Sequence, residues 1–169
     1  MNGYVLVVDD HPDVRRLVLD VLDMLGIEGR EAINGEEALR IVRRDPPVAV
    51  VLDLMMPDLD GFTTLSRLRN LAGGREISVV LLSALVEDDP RLSLLPGVVG
   101  TLRKGSFSVD ELICLLERAV GREKARAERR EAQKRNAAKK APPAEAAGKT
   151  GGRNGKEQKE ESSASPSDA

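Results

Sequence analysis

Five side chains stand where apolar runs of this chain stop, and their types could do chemistry together. Tyr4–Val8 leads into Asp9 and Asp10, Val48–Leu52 into Asp53, Ile77–Leu82 into Ser83, and Val98–Arg103 into Lys104. Runs of this length that are continuously apolar read as strands buried on both faces of a parallel sheet. Parallel strands bring their carboxyl ends to one edge, where open α/β sheets hold ligands. Burying one carboxylate is costly, and several crowded together repel, unless something compensates them. A hard divalent cation does so, and Mg²⁺ suits oxygen ligands while keeping several of its waters. With the Lys104 ammonium and the Ser83 hydroxyl, the set makes a site for a phosphoryl group carried on an aspartate.

The elements that must position these groups are legible in the spacing. Val14, Leu17, Val18, Val21, Leu22 and Leu25 recur at helical intervals, with Pro12 suited to the first turn and Gly26 to the stop. Ile27–Ala32 is a weak second strand. Asn34 is placed to cap a helix over Gly35–Arg44, with Glu36 and Glu37 favourable in its first turn, and Asp45-Pro46-Pro47 ends it. After Asp53 comes a loop rich in Pro, Asp and Gly, in which Asp58 and Asp60 form turns and Gly61 lets the backbone bend, then a helix from about Phe62 to Leu71. A short helix between Pro90 and Pro96 is expected within Glu87–Pro96. Ser108 and Glu111 have capping-box spacing ahead of a helix over Val109–Val120. Strand and helix alternate five times, which argues for a parallel sheet with helices on both faces.

Composition divides the chain in two. Residues 1–121 hold 13 basic and 20 acidic side chains, a net charge of −7, whereas residues 122–169 hold 13 and 8, a net of +5. We therefore expect a folded unit over 1–121 and a charged low-complexity tail over 122–169. Arg122–Lys140 is rich in helix formers and could extend the last helix; Ala141–Ala169 is expected to be disordered. The single cysteine, Cys114, rules out an intrachain disulfide and reads as a packing residue among leucines. The sequence shows no signal peptide and no run long enough to span a membrane, so a cytoplasmic protein is expected.

The pattern Val7-Val8-Asp9-Asp10, Leu52-Asp53-Leu54-Met55-Met56-Pro57-Asp58-Leu59-Asp60-Gly61, Ser83-Ala84 and Lys104 resembles the receiver domain of two-component response regulators over roughly residues 3–120. That resemblance implies a flavodoxin-like, doubly wound five-stranded parallel sheet of (βα)5 type. It implies that Asp53 is the phosphorylated nucleophile, fed by a histidine kinase or a histidine phosphotransfer protein. Asp10, Asp53 and the Met55 carbonyl would ligate Mg²⁺, with Asp9 helping through water. Ser83 would follow the phosphoryl oxygens, and Lys104 would pair with Asp53 and then with the phosphoryl group. The chain would be a Mg²⁺-dependent switch or phosphoryl intermediate without an output domain of its own, catalysing at most its own phosphorylation and dephosphorylation. It would be a monomer or a weak phosphorylation-dependent dimer acting on a downstream protein. A phosphatase of the HAD type shares the strand-end nucleophile but needs a second Asp where this chain has Met55.

The output side departs from the family. Gly105 follows Lys104 where Pro is usual, and Thr101 stands at the switch position usually held by Tyr or Phe. Met55 and Leu85 are apolar at positions that, in the family this chain resembles, tune access of the hydrolytic water, so the resemblance implies slow autodephosphorylation. His11 reads as a solvated loop residue. The basic Arg122–Lys140 stretch has no aromatics for stacking, so nucleic acid is not the expected partner. The alternative is a receiver-like scaffold or nucleic-acid-associated protein that works through this tail.

Overall fold

The computed structural model describes residues 3–84, 92 and 94–140. Five strands form one sheet: β1 (Tyr4–Val8), β2 (Glu28–Ala32), β3 (Ala49–Asp53), β4 (Ser78–Ser83) and β5 (Val98–Arg103). Four helices lie among the described residues: α1 (Pro12–Met24), α2 (Gly35–Arg44), α3 (Gly61–Arg69) and α4 (Val109–Lys140). The sheet order is β2-β1-β3-β4-β5 with every pair parallel, the doubly wound flavodoxin-like arrangement that alternation of the elements requires.

The period-2 alternation of strands divides the core cleanly between the two faces. Leu6, Val8, Val50, Leu52, Val79 and Leu81 face one way, onto Leu39 and Val42 of α2 and Leu65 and Leu68 of α3. Val5, Val7, Ala49, Val51, Val80 and Leu82 face the other, onto Val18, Val21 and Leu22 of α1 and Leu112 and Leu116 of α4. All residues of β1, β3 and β4 are buried, as the continuous apolar runs demand. β2, at the edge, buries only Ala32.

Local signals set the helix ends. Asn34 Oδ1 accepts from the Glu37 amide at 2.8 Å, and Glu37 Oε2 accepts from the Ile33 amide at 3.0 Å. The Ser108–Glu111 capping box closes reciprocally at 3.2 and 2.8 Å. Gly26, with φ of 65°, ends α1 while the Ile27 amide reaches back to the Leu22 carbonyl at 2.9 Å.

The last helix carries the extension its sequence allowed, and two other expectations meet a different outcome. It runs on from Val120 through Gly121 to Lys140, carried by a stretch dense in Ala, Arg, Lys and Glu. Cys114 is exposed: Leu112, Leu116, Ala119 and Val120 define the buried face, and a residue two beyond Leu112 falls on the opposite side. Gly61 has no positive φ; its need for glycine comes from close approach, since an added Cβ would lie 2.2 Å from the Asp53 carbonyl oxygen. The expected short helix over 87–96 and the apolar Leu85 fall largely outside the described residues, as does the tail from Ala141. No helix among the described residues is long and apolar enough to cross a membrane.

Candidate functional site

The strand order turns four separated motifs into one site. β1 and β3 are neighbours although α1, β2 and α2 intervene in sequence, so Asp9 and Asp10 come beside Asp53 where the winding reverses. β4 adds Ser83 next to Asp53, and β5, whose Arg103 pairs with Ser83, delivers Lys104. The Lys104 amide is anchored on the Ser83 carbonyl at 2.8 Å. Asp9 and Asp53 are fully buried, Ser83 is buried, and Asp10 is partly open to solvent.

One ammonium serves two carboxylates. Lys104 Nζ donates to Asp53 Oδ2 at 2.6 Å and lies 2.7 Å from Asp9 Oδ2. The Asp9 contact is a close ion pair without hydrogen-bond alignment, so Asp9 Oδ2 is buried with no hydrogen-bond donor. The other oxygens are held by backbone: Asp53 Oδ1 accepts from the Met55 amide at 3.0 Å, and Asp9 Oδ1 from the His11 amide at 2.9 Å. Burial pushes the Asp53 carboxyl above its ordinary range, against the opposing hydrogen bonds of Lys104 and the Met55 amide, and the Asp9 charge adds to the rise. Burial alone would pull Lys104 down, but its bond to Asp53 and its close pairing with the Asp9 carboxylate prevail and hold the ammonium above its usual value. The two shifts point upward for different reasons: burial raises Asp53, whereas the paired carboxylates raise Lys104. Lys104 Nζ is the ammonium that both Asp9 Oδ2 and Asp53 Oδ2 approach, so two carboxylates face one lysine.

That shortage of positive charge is the test of whether a divalent cation suits the residues present. Asp9, Asp10 and His11 bring one ligand atom each within 4.8 Å of one another. Asp53, drawn onto Lys104, stands outside that cluster. The hard oxygen donors and the donorless Asp9 Oδ2 fit Mg²⁺. His11 is exposed, as expected of a loop residue, yet its Nδ1 lies 2.9 Å from Asp10 Oδ1.

On the output side, Thr101 sits opposite Leu81, and its Oγ1 is buried without a hydrogen-bond partner among the described residues. Gly105 has φ of 79°, which proline, locked near −65°, does not adopt. The turn after Lys104 is therefore built on a left-handed glycine. Sequence reasoning passed over Arg15. It is the one buried basic residue among the described residues, at 9% exposure, and its signal was a charge on the core-facing stripe of Val18, Val21 and Leu22.

A doubly wound sheet with an acidic cluster at its switch point defines the CheY-like class, a signalling switch rather than a typical enzyme. The chain belongs to the response regulator receiver domain family, whose model matches residues 5–117. It is 34% identical over 124 residues to the transcriptional regulatory protein KdpE of Mycobacterium tuberculosis, covering 73% of this chain and 54% of KdpE. It spans only 35% to 36% of the length of other curated relatives. The receiver domain of Francisella response regulator 1452 is 33% identical with a TM-score of 0.63, covering 72% of this chain and 98% of that one. The receiver domain of a Pseudomonas aeruginosa sensor histidine kinase, which has a magnesium ion coordinated in its active-site cleft, is 27% identical with a TM-score of 0.63, covering 72% and 99%. Aspartate phosphorylation, Mg²⁺ binding and partnership with histidine kinases or phosphotransfer proteins are typical of this family.

Proposed function

We propose that Asp53 accepts a phosphoryl group from a phosphohistidine on a histidine kinase or phosphotransfer protein, making the chain a phosphorylation switch or a phosphoryl intermediate. A carboxylate oxygen of Asp53 forms the new bond to phosphorus as the bond to the donor nitrogen breaks and the imidazole leaves with the electron pair. The observation that carries this reading is the 2.6 Å contact between Lys104 and a fully buried strand-end carboxylate. Lys104 holds Asp53 oriented before transfer and neutralises a phosphoryl oxygen after it. Ser83, on the adjacent strand end, offers its hydroxyl to another. Asp10, Asp53 and the Met55 carbonyl would hold Mg²⁺, with Asp9 assisting, once the cation draws Asp53 toward the Asp9–Asp10 pair. When bound, Mg²⁺ supplies the charge neutralisation that phosphoryl transfer needs.

Incubation with acetyl phosphate and Mg²⁺, followed by intact mass measurement, tests the reading. A single phosphoryl adduct that is lost in Asp53→Ala is expected. An unmodified wild type, or an adduct that survives Asp53→Ala, overturns it. With Met55 half exposed and apolar beside the acceptor, the adduct is expected to be long-lived, and decay within seconds contradicts that part.

A further inference from the structure

Arg15 lies in the first turn of α1 with its guanidinium turned back under the end of β1. Its Nη1 donates to the backbone carbonyl of Asp9 at 2.9 Å and to that of Asp10 at 3.2 Å. Its Nε donates to Glu31 Oε2 at 2.8 Å, and Glu31 stands on edge strand β2 opposite Val7. One planar side chain thus ties α1, β2 and the two residues just past β1. The Asp9 and Asp10 carbonyls lie beyond the last β1 residue, where the ladder stops, and Arg15 supplies a donor to each.

We infer that Arg15, steadied by Glu31, is a positioning residue that sets the geometry of the Asp9–Asp10 pair for a divalent cation. The inference rests on the proposed role of that pair in holding Mg²⁺. Pinning consecutive carbonyls fixes the backbone at both residues and so the directions in which their carboxylates project. The rigid guanidinium fork engages two carbonyls and a carboxylate together, which a lysine ammonium on a flexible stem does not reproduce. Groups that orient metal ligands in this way typically set metal affinity by about 10–100-fold.

The sign of the effect separates positioning from charge. A cation near the site repels Mg²⁺, so if Arg15 acted through its charge alone, removing it would tighten binding. If it positions the ligands, removal weakens binding. Mg²⁺ titration of the full chain by calorimetry, without phosphodonor, is the measurement. Arg15→Met and Arg15→Lys are both expected to raise the Mg²⁺ dissociation constant by about tenfold or more, with Glu31→Ala raising it severalfold. Acetyl phosphate at saturating Mg²⁺ should still label Asp53 in these variants. Unchanged or tighter Mg²⁺ binding in Arg15→Met, or full rescue by Arg15→Lys, overturns the inference while leaving the phosphoacceptor reading intact. Should Arg15→Met fail to fold, Glu31→Ala decides, because its side chain is 54% exposed; unchanged affinity there also overturns it. A wild type that neither binds Mg²⁺ nor labels on Asp53 takes both readings down.

Discussion

Lys104 and Asp53 are 51 residues apart in sequence and their strands β5 and β3 are separated by β4, yet Nζ and Oδ2 meet at 2.6 Å across the sheet edge, with Asp9 drawing on the same ammonium. Removing one partner of a buried ion pair strands the other, at about 3–5 kcal/mol. Lys104→Met should lose stability of that order without metal, because Asp9 and Asp53 are left facing each other. Mg²⁺ should restore a large part of it. Urea denaturation with and without Mg²⁺ checks this, and equal losses in both conditions would contradict the shared-cation account.

Gly61 packs its α-carbon against the phosphoacceptor backbone. A Cβ there would sit 2.2 Å from the Asp53 carbonyl oxygen and 2.6 Å from Leu54 Cα, while the Gly61 amide bonds the Leu54 carbonyl at 3.1 Å. Backbone yields less readily than a side chain, so Gly61→Ala should cost about 3 kcal/mol, at the upper end for overpacking. Chemical denaturation measures it; a loss below about 0.5 kcal/mol, the scale of an ordinary surface change, would show that the strand end gives way freely.

Thr101 holds a buried hydroxyl oxygen without a hydrogen-bond partner among the described residues. Valine keeps the shape and removes the polar group, so Thr101→Val should stabilise the unphosphorylated protein by about 1 kcal/mol. Thermal melting reads this as an upward shift of a few degrees. A lower melting temperature would mean that the hydroxyl has a stabilising partner after all.

Asp60 caps α3, its Oδ1 accepting from the Thr63 amide at 2.9 Å and its Oδ2 from the Thr63 hydroxyl at 2.8 Å. The Thr63 backbone bond and then the hydroxyl bond hold the Asp60 carboxyl below its ordinary value. A group lowered on folding stabilises fully above its unfolded value and loses that contribution as pH falls through the folded one. Asp60→Ala should therefore cost about 1 kcal/mol at neutral pH, with the gap from wild type closing below about pH 4. Asp60→Asn should keep the cap and lose the pH dependence. A gap that persists undiminished in acid would place the effect elsewhere.

What sequence alone determined is local. Strand identity followed from continuous apolar runs, because a strand covered on both faces has no solvent side to alternate toward. The caps at Asn34 and Ser108 and the stop at Gly26 were legible because each depends on residues within one turn. The five site residues were legible too, since each marks the place where an apolar run ends in a polar group.

Only the tertiary structure decided how those groups share charge. The adjacency of β1 and β3 comes from crossover topology, and it is what makes Asp9 compete with Asp53 for Lys104. The same holds for Arg15, whose charge on a core-facing stripe acquires meaning only when the Asp9 and Asp10 carbonyls appear above it. Cys114 turned outward because helix phase is set by which residues meet the sheet, which a cluster of leucines on all sides does not reveal. Gly61 is glycine because Asp53 passes within contact distance, a fact of packing that turn chemistry alone could not supply. Sequence fixes what each group can do at short range, and long-range packing fixes which groups must do it together.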